Sequence, residues 1–190
     1  HTDRALRLLG GRIPSLARMP FSFLRQIGLL ILHMRASRRN RSVDSSGPAR
    51  LAEQRKSDAY RHISQLCYFD QNKVLGVYSA IRALNHAESI GPSAELARSL
   101  ALMCLAAGLV PAHGLAAMYD RRSLEVANRL DDPAARAWVL QLTGMYHLGV
   151  GHWDLSRPRL EEAVAINKKL GDWRHWEESS GELARLDYYV

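Results

Sequence analysis

The sequence predicts an all-α chain built as a stack of helical hairpins. Three observations predict it. Small residues recur at a spacing of 40: Ser64, Cys104, Gly144 and Ala184 in one column, Gly76, Ala116 and Ser156 in a second, and Ala83, Ser123 and Ala163 in a third. Large apolar residues follow in the same register at Leu84, Leu124 and Val164, and again at Ile90, Leu130 and Leu170. Helix-ending stretches keep the register too, at Ser89-Ile90-Gly91-Pro92, at Asn128 to Pro133, and at Lys168 to Asp172. A fixed period of this length marks stacked helical units. Small side chains let two backbones approach, and large ones fill the groove between one pair and the next. The fold class is therefore an α-solenoid of about three and a half hairpins, preceded by a basic amphipathic helix.

Each element has its own signals. Residues 1–11 read as the end of a preceding helix, stopped by Gly10-Gly11. Residues 12–41 hold a basic amphipathic helix, expected from about Phe21 to Arg38. Leu24, Ile27, Ile31 and Met34 fall at helical spacing there, flanked by Arg18, Arg25, Arg35, Arg38, Arg39 and Arg41. Arg25, Gln26 and His33 interrupt it too often for a membrane span. Two roles stay open for it: docking on the solenoid or on a preceding part of the chain, or lying on an anionic membrane surface. Residues 42–48 form a polar linker. The solenoid then occupies 49–190. Its helices are expected at about 49–69, 73–89, 94–107, 112–130, 134–148, 154–170 and 174–188. Pro48 suits a first helical turn, and Ser93 an N-cap with Glu95 close behind.

The totals fit a single domain with a real core: 190 residues, 47% hydrophobic and 24% charged. The net charge of +7 is unevenly placed. Residues 1–56 hold 12 Lys/Arg against 3 Asp/Glu, a balance of +9; residues 57–190 hold 14 against 16, a balance of −2. A near-neutral solenoid argues against nucleic-acid binding by the repeats. The two cysteines, Cys67 and Cys104, fall on packed faces, so free buried thiols in a reducing, cytoplasmic setting are expected. The start at His1 inside a helical pattern, and the uncapped end at Val190, suggest a piece of a longer protein.

At Gly144, Gly151, Trp153, Ser156, Leu160 and Ala163 the spacing resembles the tetratricopeptide repeat. The departures are Leu140 where that family has Trp, His147 where it has Tyr, no closing Pro, and a period of 40 instead of 34. Repeats this long resemble those of large bacterial signalling ATPases. The chain as a whole resembles the helical region that follows the ATPase module in proteins beginning with a class III adenylate/guanylate cyclase domain. Tyr68-Phe69, Ala80 to Asn85, Gly91 to Ala97 and Ala137 to Leu140 carry that likeness. It implies a regulatory region that holds or senses a partner.

Reactive constellations are absent from the sequence. There is no Gly-rich loop followed by Lys-Ser/Thr to cradle phosphates. His147 and His152 stand five apart across a glycine turn, a spacing without the one-face geometry of zinc sites, so no metal is expected. Asp131-Asp132 and Glu161-Glu162 read as caps and solvated faces. We expect no cofactor and no catalysis.

Function is expected on the concave face that the first helix of each pair lines in tetratricopeptide stacks. By that resemblance the groove residues are Arg61, Gln65, Tyr68, Arg98, Trp138, Gln141 and Arg185. Arginine, amide and aromatic side chains suit an extended peptide or an acidic tail. The expected partner is a protein or peptide, including the ATPase or cyclase domains of a parent chain. The alternatives are a small-molecule sensor using Trp138 and Gln141, and a membrane-surface tether through residues 12–41.

Overall fold

The computed structural model describes residues 14, 18–36, 47–110 and 112–190. Among these residues there are eight α-helices and no strand: α1 Met19–Ala36, α2 Pro48–Phe69, α3 Lys73–Ile90, α4 Ala94–Leu109, α5 His113–Asn128, α6 Pro133–Gly149, α7 Trp153–Leu170 and α8 Trp173–Tyr189. Every boundary lies within two residues of the one the sequence implies. The expected helix end over residues 1–11, and most of the linker at 42–48, fall outside the described residues. The chain forms two compact units, His1–Ser99 and Leu100–Val190, and the division falls within α4.

Local chemistry sets the helix ends. Pro48 opens α2, and the Asn72 side chain caps α3 by accepting from the Leu75 amide at 3.2 Å. Between them Gln71 adopts φ 56°, and Gly91 at φ 82° closes α3. Ser93 accepts from the Leu96 amide at 3.3 Å in the first turn of α4. Asp132 caps α6 through the Ala135 amide at 2.9 Å, and Asp172 caps α8 through the His175 amide at 3.2 Å. Asp132 of the Asp131-Asp132 doublet is thus committed to a helix end, as the sequence suggested.

In the first unit, α2 and α3 pack as a hairpin around Tyr60, Ile63, Cys67 and Ala83, with Ala59 and Leu75 at the margin. Two close approaches fix the pair. Gly76 sits so near α2 that a Cβ there would lie 3.3 Å from the Cys67 Cβ. The Ser64 hydroxyl donates to the Gly76 carbonyl at 2.9 Å. A polar cluster covers one side: His86 stacks on the buried Tyr60 ring, the Arg82 guanidinium lies over that ring at 4.7 Å, and His86 Nδ1 meets Glu53 at 2.6 Å. Helix α1 packs on α3. Phe23 lies against Tyr78, Ser22 bonds the Tyr78 hydroxyl at 3.0 Å, and Asn85 donates to the backbone and side-chain oxygens of Gln26, each at 3.0 Å.

In the second unit, α6 and α7 pack as a hairpin, α5 and α8 pack on its helices, and Gly151 at φ 80° turns the chain between them. The close approach recurs with the residues exchanged. Here the glycine is on the first helix and the serine on the second: Ser156 Oγ donates to the Gly144 carbonyl at 2.9 Å. A Cβ on Gly144 would stand 3.0 Å from two carbons of the fully buried Leu160. Cys104, Ala116, Ala83, Ser123 and Ala163 are all fully buried, as the small-residue columns require. Ala184 differs. It is exposed on α8.

This packing makes Gly144→Ala a test. The added methyl meets Leu160 inside a filled interior, so we expect a loss of about 1–3 kcal/mol from overpacking, partly offset by about 1 kcal/mol of helix propensity. Thermal melts of Gly144→Ala in the wild-type and Leu160→Ala backgrounds should show the penalty shrinking in the second. Equal penalties in both would mean that the two residues do not press on each other.

Candidate functional site

The sequence-derived groove residues fall into two groups, one in each unit. In the first, Arg61 is buried on α2 and pairs with Asp58 one turn earlier. It also faces the buried Glu95 of α4, with Nε 3.9 Å from Oε2, an ion pair beyond hydrogen-bond reach. Arg98 donates from Nη1 to Glu95 Oε1 at 2.9 Å. Two guanidinium groups therefore share one carboxylate in a confined site. Removing either leaves the remaining charges unbalanced, which is costlier there than in water. Gln65 is half-buried and Tyr68 exposed on the stripe that continues from Arg61 at helical spacing. Arg98 keeps part of its side chain in solvent. This group thus combines a fixed charged base with an accessible amide, phenol and guanidinium.

In the second unit, Trp138 and Gln141 are closed off, at 5% and 2% exposure. Helix α8 contributes to that closure. His175 sets its ring edge-on to Trp138 at 5.2 Å, and Glu178 accepts from Gln141 Nε2 at 3.1 Å. Gln141 Oε1 is buried with no hydrogen-bond partner among the described residues. Arg185 is exposed and pairs with Glu182 at 2.7 Å. Burial pushes the Glu182 carboxyl above its ordinary range, opposed by the Arg185 charge.

Sequence reasoning missed a third cluster, also in the second unit. Asp120 of α5 is buried and held from two sides. His147 of α6 places Nε2 3.0 Å from Asp120 Oδ2. Arg159 of α7 engages both carboxylate oxygens, the Nη2 contact at 3.1 Å. One carboxylate thus joins three helices. A charged carboxylate only accepts hydrogen bonds, so His147 donates from Nε2 to Asp120, and its Nδ1 lies 3.4 Å from His152 Nδ1. Burial raises the Asp120 carboxyl, but the hydrogen bonds from His147 and Arg159 and their charges outweigh it and hold the group below its ordinary value.

A signal for this cluster did exist. Asp120 falls among Ala116, Ser123 and Ala127 on the packed stripe of α5, where a lone acid demands a partner. Cys104, near enough to feel the Asp120 charge, is fully buried, and burial pushes its thiol strongly upward. A thiol so placed stays protonated and is not poised as a nucleophile. The His147–His152 pair, whose spacing across the glycine turn argued against a metal site, does come together, Nδ1 to Nδ1 at 3.4 Å. Even so, the described residues contain no group of three or more His, Cys, Asp or Glu placed to hold a metal. No described helix is long and apolar enough to cross a membrane.

No protein-family model, no curated protein and no solved structure matches the chain.

The Asp120 cluster sets an acid limit on the second unit. A carboxyl held below its ordinary 3.8 contributes stability above that pH and loses it as the pH falls through the folded value. Wild-type melting temperature should therefore fall steeply below about pH 4. Asp120→Asn should lose about 3–5 kcal/mol at pH 7, through the uncompensated Arg159, and show a flatter acid profile. Parallel profiles for the two proteins would remove Asp120 as the cause.

Proposed function

We propose that this chain is a non-catalytic helical-repeat module that binds an extended, acidic peptide or a neighbouring domain of its own parent protein. On this reading, the three hairpins are 40-residue, tetratricopeptide-like repeats of an α-solenoid. The parent is a cytoplasmic signalling protein of the ATPase and nucleotide-cyclase kind that the sequence resembles. The observation that carries the repeat reading is the exchanged pair Ser64–Gly76 and Gly144–Ser156. In both, hydroxyl and carbonyl meet at 2.9 Å across twelve residues of chain. Two hairpins that solve the same close approach in the same register are what a repeat requires.

The binding surface is placed in the first unit, at Gln65, Tyr68 and Arg98 over the buried Arg61–Glu95 pair. Arg98 offers charge-assisted hydrogen bonds to a carboxylate, Tyr68 an apolar ring with a polar tip, and Gln65 an amide able to bond a peptide backbone. Because Glu95 already neutralises part of the arginine charge, the surface favours peptides that combine acid with aromatic or aliphatic residues over simple polyanions.

The unpartnered Gln141 Oε1 beside Trp138 supports a second reading, in which a small polar ligand lodges between α6 and α8. Thermal shift against nucleotide and metabolite panels separates the two. A rise that Gln141→Leu abolishes favours the ligand.

For the principal reading, fluorescence anisotropy with an array of extended acidic peptides is the direct test. Tyr68→Ala should weaken the best binder by about tenfold, or ~1.4 kcal/mol, with the melting temperature little changed, whereas Arg98→Ala should weaken it and also lower the melting temperature, because it takes the hydrogen-bonded cation from Glu95. Binding that neither substitution alters, or no binding by any peptide of the array, would overturn the assignment.

A further inference from the structure

Helix α1 has its polarity reversed. The face it turns to α3 carries Met19, Ser22, Phe23, Gln26 and Leu30, and Gln26 is only 2% exposed. The face it turns away carries Phe21 at 78% exposure, Leu24 at 69%, Ile27, Ile31 and Leu32 at 63%. At about 100° per residue these outward positions form one continuous stripe, opposite the docked face. A helix that buries a glutamine while showing five large apolar side chains is incomplete in water, because the exposed stripe gains most from leaving it. The sequence left docking and membrane contact as alternatives for this helix. The structure makes them compatible, since docking uses one face only.

Charge selects the occupant. Arg18 and Arg25 are both exposed and lie along one edge of the outward stripe, and Met19–Ala36 contains no acidic residue. A second copy meeting this stripe two-fold would bring the same arginines together with no acid in either helix to balance them. An anionic bilayer supplies an apolar interior for the stripe and a plane of phosphates for the arginines. The helix length of 18 residues suits lying along the surface, and none of the described helices can cross it.

We propose that α1 is a membrane-surface anchor, docked on α3 by its hydrogen-bonded face and seated in the headgroup layer of anionic lipid by Phe21, Leu24, Ile27, Ile31 and Leu32, with Arg18 and Arg25 at the phosphates. This is independent of the peptide surface at Tyr68 and Arg98.

Vesicle flotation of the intact chain tests it, using phosphatidylcholine vesicles with and without about one third phosphatidylserine, a fraction that gives a strongly negative surface. The chain should float with the anionic vesicles, release as salt is raised, and bind neutral vesicles at least tenfold more weakly. Leu24→Glu with Ile31→Glu should abolish flotation while circular dichroism and melting temperature stay unchanged, because both positions are exposed. Arg18→Gln with Arg25→Gln should lower binding to anionic vesicles alone. Absence of flotation overturns the proposal, as does flotation that ignores Leu24→Glu with Ile31→Glu or lipid charge. A stable dimer in sedimentation velocity that the same pair of substitutions dissolves also overturns it, and would assign the stripe to a second copy.

Discussion

Two helices in a hairpin can come together only where neither brings a side chain, and the backbone polar groups exposed by that closeness must still be satisfied. Ser64 with Gly76, and Ser156 with Gly144, meet both demands at once. The glycine removes bulk, and the serine spends its one proton on the carbonyl opposite. Helix carbonyls already accept an intrahelical bond, so the added hydroxyl uses the second lone pair and leaves the ladder intact. The packing of Tyr60 and Cys67 in one unit, and of Leu160 in the other, follows from where these two contacts set the backbones. It is the pair that holds its chemistry: serine and glycine trade helices between the two hairpins.

Around those contacts the chain buries charge, and each buried charge spans helices. Glu95 is shared by arginines from α2 and α4; Asp120 joins α5, α6 and α7 through His147 and Arg159. Apolar contacts tolerate sliding, whereas a two-pronged guanidinium on a carboxylate does not. The clusters thus fix rotation and register where small residues fix distance. They also explain why Arg61 is a poor probe of binding. Its loss would leave the buried Glu95 with Arg98 as its cationic neighbour, and any effect on a partner would be confounded by the fold.

Helix limits were legible because their causes are local: Pro48, Asn72, Ser93, Asp132, Gly151, Gly171 and Asp172 announce ends wherever they stand. The buried columns were legible because small residues at fixed spacing have few other uses. The exposure of Ala184 was not, since a column of small residues marks a face prepared for packing and says nothing of what covers it. Trp138 and Gln141 were placed on a groove by resemblance, but α8 folds onto that stretch of α6, a tertiary fact with no trace in the local pattern. Asp120 was legible in principle and overlooked. The sequence reading passed over it, although its flanking Ala116 and Ser123 marked the position as interior.

The seam beneath α1 has a consequence for how the first unit comes apart. What joins α1 to α3 is in good part directional: a hydroxyl pair at Tyr78 and an amide on Gln26, each worth about 0.5–1.5 kcal/mol net in water. Solvent can replace such bonds when the helix lifts, and the groups left behind on α3, a phenol and an amide, are ones that water accepts. Lifting α2 from α3 would instead uncover Tyr60, Ile63 and Ala83, which water does not accept. Parting α1 from α3 is therefore the milder of the two separations, although it too uncovers apolar surface, at Met19, Phe23 and Leu30.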